Sequence, residues 1–249
     1  MSEFYNHSRL TALVVEADLH YLFVMPREPH HSTFRNPTAL APVGLTGEML
    51  ASGITHLYRI LDGMDETLMK MDEDRLAQIF ELANFSSMVG NILRSGISKA
   101  SRGLFKNNGP HKYPDLLSSR SPEQNVESKV ALEDNNPKGH LAKEGYHLTA
   151  RYVLCDCDGI FARGKANRGV QLWVWEVRFG YLRLNHFNTS STPGDSGKTA
   201  VVNAAGMVEL MPVYVDFDRC PYSARGKTNK ELKRRMGVEQ VKLSKAIPR

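Results

Sequence analysis

The hydrophobic pattern changes its period once along the chain, and this change most constrains the fold. Between residues 46 and 94, apolar side chains such as Leu50, Ile54 and Leu57 recur at three- and four-residue spacing, which predicts helices. After about residue 110, apolar residues alternate with polar ones or form short runs rich in strand formers, which is typical of β-strands. Because helices come first and strands follow, we expect an α+β fold with a mixed central β-sheet flanked by helices.

The same patterns give approximate limits for the elements. The first helix begins after Thr46, with Gly63 as its predicted stop, and the second runs from about Asp72 to about Arg94. The predicted strands cover residues 125–132, 146–155 and 208–217, and residues 170–184 are expected to form two strands around Gly180. Apolar runs at residues 10–15 and 21–25 favour strands or an irregular arm, residues 26–44 a proline-rich loop, and residues 229–245 a terminal helix.

The composition is that of a globular protein. The chain has 249 residues, of which 41% are hydrophobic and 24% charged, so we expect one domain over residues 1–249, with a helical N-terminal half, a strand-rich core at 110–220 and a basic tail at 225–249. No apolar run approaches the roughly 20 residues that span a bilayer, and the N-terminus lacks a signal-peptide pattern. Three cysteines imply no disulfide framework. We therefore expect a cytoplasmic protein without membrane association, with its cysteines as buried thiols.

Positive charge is concentrated at the C-terminal end. Residues 225–249 contain nine Lys or Arg and only two Asp or Glu, whereas the whole chain has a net charge of +5. A cationic segment of this kind favours binding to nucleic acid, because clustered Lys and Arg release the counterions of phosphates. A solvated terminal helix that aids solubility is the alternative interpretation.

The most informative stretch joins Asp115, which follows Pro114, to the sequence Glu127-Ser128-Lys129. On a strand, residues two apart share a face, so Glu127 and Lys129 would lie together opposite an apolar face. Asp115 could meet Glu127 across the sheet. Two convergent carboxylates are suited to a hard divalent cation such as Mg²⁺, and a neighbouring Lys can orient or deprotonate a water. These are the components of a site that hydrolyses phosphodiesters.

This arrangement resembles the PD-(D/E)xK nuclease superfamily and, within it, the type II restriction endonucleases. The resemblance covers about residues 110–133. It implies that Asp115 and Glu127 bind the metal, that Lys129 is the catalytic lysine, and that Glu81 is the best candidate for a further acidic ligand from a preceding helix. The implied function is Mg²⁺-dependent, site-specific cleavage of double-stranded DNA. Cutting both strands requires two active sites, so the natural assembly is a homodimer.

Two polar loops offer cations for DNA. The loop after the catalytic strand contains Lys138, His140 and Lys143, and a later loop contains Arg163, Lys165 and Arg168. Loops of this kind commonly supply phosphate or base contacts. An ordinary solvated turn is the alternative for each of them.

Residues 192–199, Thr-Pro-Gly-Asp-Ser-Gly-Lys-Thr, are close to a P-loop motif. The motif requires Gly where the chain has Thr192, and it should connect a buried strand to a helix. A P-loop-like NTPase is therefore one alternative function, and in a nuclease Lys198 would instead contact the DNA backbone. A non-catalytic DNA-binding protein with a basic tail is the other alternative.

Overall fold

The computed structural model of the protein describes residues 27–30, 33–109, 112–190 and 199–222. The apolar runs near the N-terminus, residues 192–198 and the basic tail lie outside this part of the chain. The helices within it are α1 (Gly47–Lys70), α2 (Leu76–Ile79), α3 (Leu82–Ala100) and α4 (Ala204–Glu209). The strands within it are β1 (Phe105–Asn107), β2 (Leu116–Ser118), β3 (Val126–Leu132), β4 (Lys138–Gly139), β5 (Gly145–Cys155), β6 (Gln171–Leu182), β7 (Phe187–Ser190), β8 (Thr199–Val202) and β9 (Met211–Val215).

A six-stranded sheet forms the centre of the molecule, with the strand order β1-β2-β3-β5-β6-β9. Strands β3 and β5 are parallel, and the other neighbours are antiparallel. The sheet is therefore mixed, and together with the helices it confirms the predicted α+β fold.

Helices α1 and α3 cover one face of this sheet with their apolar sides. Thr46 begins α1 by accepting a hydrogen bond from the Met49 backbone N–H at 3.2 Å, the usual N-cap arrangement. The two helices approach closely at two glycines, since a Cβ on Gly96 would lie 3.0 Å from the Gly53 backbone. The apolar core lies between these helices and the sheet, where Tyr58 accepts a hydrogen bond from the Val174 backbone N–H at 3.0 Å.

The opposite face of the central sheet is covered by a second sheet and by α4. The second sheet has the order β4-β8-β7 and is antiparallel throughout. Its strands come from two connections, one between β3 and β5 and the other between β6 and β9. Several charged side chains are buried on this face, among them Glu127, Lys129, Arg151 and Glu176.

The structure corrects several predicted boundaries. Helix α1 continues through Gly63, because a glycine within a helix costs only about 1 kcal/mol and Leu61 and Leu68, on either side of it in the sequence, pack into the core. The predicted second helix is interrupted between α2 and α3, where Phe80 and Glu81 have extended ψ angles of 141° and 135°. Residues 171–182 form one strand rather than two, and Gly180 lies within it. The missing side chain lets the Glu209 backbone approach, since its carbonyl oxygen would lie 2.7 Å from a Cβ there.

Two further predictions concern the state of the cysteines and membrane-spanning segments. All three cysteines are free, with Cys155 and Cys220 buried as expected and Cys157 exposed, contrary to expectation. None of the helices in the described part of the chain is long and apolar enough to cross a membrane.

Candidate active site

The edge of strand β3 is left open by its neighbour, and Asp115 fills the gap. Strands β2 and β3 pair only through Leu116 and Val126, so they diverge beyond that point. The next backbone N–H along this edge of β3, that of Ser128, donates to the Asp115 carboxylate at 2.8 Å and not to strand β2. The Asn108 N–H fixes this turn by donating to the Asp115 carbonyl oxygen at 2.9 Å. Divergence of the strands therefore brings Asp115 against the middle of β3.

Glu127 and Lys129 lie together on the sheet face away from the long helices, as their spacing predicts. The Lys129 Nζ donates to Glu127 Oε1 at 3.2 Å, and the Lys143 Nζ donates to the same oxygen at the same distance. Lys143 also lies over the ring of Tyr113, 4.2 Å from its centroid. The second oxygen, Glu127 Oε2, is buried and has no hydrogen-bond partner among the described residues.

The three motif residues line one cleft of about 820 Å³. Its first wall is the polar side of α3, with Ser87, Asn91 and Arg94, and its second wall comes from the three-stranded sheet, with Lys138 and Thr199. This volume lies within the range of ordinary ligand-binding pockets.

Charge in the cleft is arranged around the two carboxylates. Burial raises the pKa of Asp115, and the negative charge of Glu127 raises it further, while the Ser128 N–H, Arg94 and Lys129 act in the opposite direction. Arg94 forms an ion pair with Asp115, and Lys129 and Lys143 form ion pairs with Glu127. The carboxylates therefore repel one another and are held by three surrounding cations.

His147 lies behind Glu127 on the neighbouring strand, in register with it. Its Nδ1 is 2.9 Å from the Gly145 carbonyl oxygen, and its Nε2 has no partner in the described part of the chain. Burial lowers the pKa of His147 to about 4. The ring is therefore neutral at pH 7 and supports the floor of the site without adding charge.

No family model matches the chain, and no curated protein is detectably similar to it. The interpretation of the cleft therefore depends on its own residues and their geometry.

Asp115 and Glu127 fit a hard divalent cation. Carboxylate oxygens are the ligands that Mg²⁺ prefers, and the unpartnered Glu127 Oε2 is a buried acceptor of the kind that a cation satisfies. The described residues contain no cluster of three or more His, Cys, Asp or Glu that could hold a metal. The protein thus offers two carboxylates, and water and substrate oxygens would complete the coordination of Mg²⁺.

Glu81, predicted as a further acidic ligand, does not join these carboxylates. It is exposed at the residue that precedes α3, and it is not among the residues that line the cleft. Glu81 lies at the break between α2 and α3, before the first turn of α3, and the lining that α3 contributes to the cleft begins at Leu82.

The predicted DNA contacts divide into two groups. Lys138 and His140 line the cleft, whereas Lys143 is engaged by Glu127. In the second loop, outside the cleft lining, Arg168 pairs with Glu133 at 2.7 Å and Lys165 is exposed.

The remaining member of that loop, Arg163, donates to the backbone carbonyl oxygens of Cys220 and Tyr222. It therefore holds two chain segments together, away from the cleft. Lys198 lies outside the described residues.

The P-loop-like segment leads into a strand. Its last residue, Thr199, begins β8, which pairs with both β4 and β7. A P-loop passes from a strand into a helix whose N-terminus faces the phosphates. The chain after Lys198 therefore lacks the helix that this NTPase motif requires.

Sequence reasoning missed Arg94. Its guanidinium donates to Asp115 Oδ1 and, at 2.7 Å, to Asn91 Oδ1. The available signal was the polar series Ser87, Asn91 and Arg94, whose spacing of four and then three residues places them on one side of an amphipathic helix.

Proposed function

We propose that the protein is a Mg²⁺-dependent endonuclease that hydrolyses phosphodiester bonds of double-stranded DNA at specific sites, resembling the type II restriction enzymes of the PD-(D/E)xK superfamily. One observation carries this proposal. Asp115, Glu127 and Lys129 converge on one cleft at the point where β2 and β3 diverge. The motif is therefore supported by geometry as well as by spacing.

Asp115 and Glu127 would hold the cation. Held there, Mg²⁺ would supply positive charge beside the scissile phosphate and the attacking water. The protein positions the two carboxylates beforehand, one through the Ser128 N–H and the other through Lys129 and Lys143. This fixed geometry avoids reorganisation during the reaction.

Lys129 would act as an ammonium. Its Nζ donates to Glu127, and only 4% of its side chain is exposed. In this position it orients the attacking water and offsets the negative charge that develops on the phosphate in the transition state. The attacking water loses a proton to solvent and its oxygen forms a bond to phosphorus, while the bond from phosphorus to the leaving oxygen breaks and that oxygen takes up a proton from solvent.

The basic side chains of the cleft match a DNA backbone. Lys138 and His140 lie on the wall opposite α3, where contacts to phosphates would position the strand. A cytoplasmic homodimer completes the proposal, because two sites related by twofold symmetry would cut the two strands of a palindromic sequence.

The test is incubation of the purified protein with unmethylated plasmid and phage DNA in Mg²⁺ or in EDTA. We expect discrete fragments in Mg²⁺ and none in EDTA. Asp115→Asn, Glu127→Gln and Lys129→Ala should each slow cleavage at least about a hundredfold, since each removes a group that acts on the reacting phosphate.

Glu133→Gln is the matched control, because it removes a carboxylate that pairs with Arg168 outside the cleft. It should cut at the wild-type rate. A smear of products would contradict site specificity, and a mobility shift without cutting would favour a DNA-binding protein. Wild-type activity in either carboxylate variant of the cleft would exclude that residue as a metal ligand.

A further inference from the structure

Arg94 occupies an oxygen of the carboxylate that the proposed metal needs. Its guanidinium donates to Asp115 Oδ1, while the other oxygen, Oδ2, accepts the Ser128 backbone N–H. The backbone contact is part of the sheet edge and is compatible with a bound cation. The guanidinium carries a full positive charge and would stand beside a divalent ion, so the two cations would repel one another.

Arg94 lies on the wall of the cleft and is partly exposed to solvent. Its side chain is 18% exposed on the wall of the cleft, and Asn91, which accepts from the same guanidinium, is exposed. The ion pair is therefore not enclosed by protein on all sides. A buried pair such as Glu176 with Arg178 differs, since its side chains are 1% and 8% exposed.

We propose that Arg94 is an internal counter-cation that neutralises Asp115 in the metal-free protein and that a divalent metal must displace. This inference rests on the metal site of the proposed function. It assigns Arg94 as a positioning residue that competes with the metal for one carboxylate. Removal of the guanidinium should then strengthen metal binding, although an ion pair is lost.

The experiment measures Mn²⁺ binding to the DNA-free protein by calorimetry. Mn²⁺ takes the same carboxylate ligands as Mg²⁺. Arg94→Gln should bind Mn²⁺ at least about fivefold more tightly than the wild type, the lower end of typical coupling between two ligands. Asn91→Ala, a substitution at an exposed position that loosens the guanidinium, should change the affinity in the same direction by a smaller factor.

Two control variants separate competition from simpler effects. Arg168→Gln breaks an ion pair of nearly the same exposure, 20% and 18% against 18% and 15%, away from the cleft. Lys138→Gln removes a positive charge from the cleft wall without touching Asp115. Both should remain within about twofold of the wild-type Mn²⁺ affinity, as expected for weakly coupled charges at the surface.

The outcomes distinguish the inference from the function on which it rests. If Arg94→Gln and Asn91→Ala bind Mn²⁺ no more tightly than the wild type while Asp115→Asn loses binding, the metal site stands and the role of Arg94 is overturned. If Lys138→Gln gains as much as Arg94→Gln, the effect is one of general charge, which also overturns it. If Asp115→Asn binds Mn²⁺ like the wild type, the proposed metal site itself fails, and the inference fails with it.

Discussion

Two strands of the central sheet carry the same local pattern, an acid followed two residues later by a base. On β3 the pair is Glu127 and Lys129, and on β6 it is Glu176 and Arg178. Both pairs lie on the sheet face opposite the long helices, and both are buried.

The two pairs differ in what surrounds them. Glu176 has both oxygens engaged, one by Arg178 at 2.7 Å and the other by Arg151 at 3.4 Å. The Arg178 guanidinium also donates to the Met207 carbonyl oxygen at 2.9 Å, so β6 and α4 are joined through it. Glu127 has one oxygen without a partner in the described residues, beside an open cleft. The pair on β6 therefore joins parts of the fold, whereas the pair on β3 keeps an unpartnered carboxylate oxygen beside the cleft.

The largest expected effect is on stability, at the buried pair of Glu176 and Arg178. Glu176→Gln should lower the free energy of unfolding by about 3–5 kcal/mol, because two buried guanidinium groups lose their counter-charge. Glu127→Gln should lower it clearly less, since Lys143 is 27% exposed and can turn toward water. Urea unfolding of both variants at pH 7 measures the difference. Equal losses would show that the two pairs have the same structural role.

A second prediction concerns His147, which lies beside Glu127 on the neighbouring strand. Its folded pKa of about 4 lies below the ordinary 6.5, so as the pH falls from 6.5 to 4 the unfolded chain takes up a proton and the folded chain does not. This group should therefore remove stability over that range, up to about 3 kcal/mol. The charged groups that act on it are Glu127, Lys129 and Lys143.

His147→Gln tests this by urea unfolding at pH 7 and pH 4.5, where the variant should lose less stability than the wild type. Titration of Asp115 changes the stability in the opposite direction, because burial raises its folded pKa. Asp115 is present in both proteins, so its contribution cancels in the difference between them. Parallel pH profiles for the two proteins would refute the assignment.

A third prediction uses the space in front of Lys129. A Cβ added at Gly139 would lie 2.5 Å from the Lys129 Nζ, so Gly139→Ala should move the ammonium away from its place beside Glu127. We expect cleavage to slow about tenfold, equivalent to about 1.4 kcal/mol in the barrier. Stability should change by less than about 1 kcal/mol, because the flexible end of a side chain can yield.

Gly63→Ala is the control for this substitution, since no atom lies within 4 Å of a Cβ there. It should preserve cleavage and slightly raise stability, as expected for alanine within a helix. Full activity of Gly139→Ala would show that the position of Lys129 is not critical.

The smallest expected effect is at Lys143, the second lysine that pairs with Glu127. Lys143→Gln should lower the free energy of unfolding by about 0.5–1 kcal/mol, the range for a partly exposed ion pair. High salt should reduce the difference from the wild type, because exposed charges are screened. Unfolding at low and high salt measures it. A loss as large as that in Glu176→Gln would show that Lys143 is an enclosed structural charge.

Local pattern was sufficient for one part of this molecule. The alternation over residues 125–132 predicted strand β3 and the shared face of Glu127 and Lys129, because strand geometry depends only on neighbouring residues. The change of period near residue 110 likewise predicted the order of helices and strands.

Distant packing decided the rest. Helix α1 passes Gly63 because Leu61 and Leu68 on either side of it pack into the core, and β6 passes Gly180, where the backbone of Glu209 lies close. Arg94 reaches Asp115 across a gap that only the divergence of β2 and β3 creates. Glu176 and Arg178 have the same spacing of acid and base as Glu127 and Lys129, so residue types alone could not distinguish a structural ion pair from a candidate functional one.

The second sheet gives the cleft a wall of separate origin. Its strands belong to the chain that leaves the central sheet after β3 and again after β6, whereas Asp115, Glu127 and Lys129 belong to the central sheet and its edge. Lengthening or replacing these two excursions would reshape the wall that bears Lys138 and Thr199 without altering the strands that hold the carboxylates. In the proposed nuclease, substrate choice could thus change in one part of the chain while the residues proposed for the chemistry stay unchanged in another.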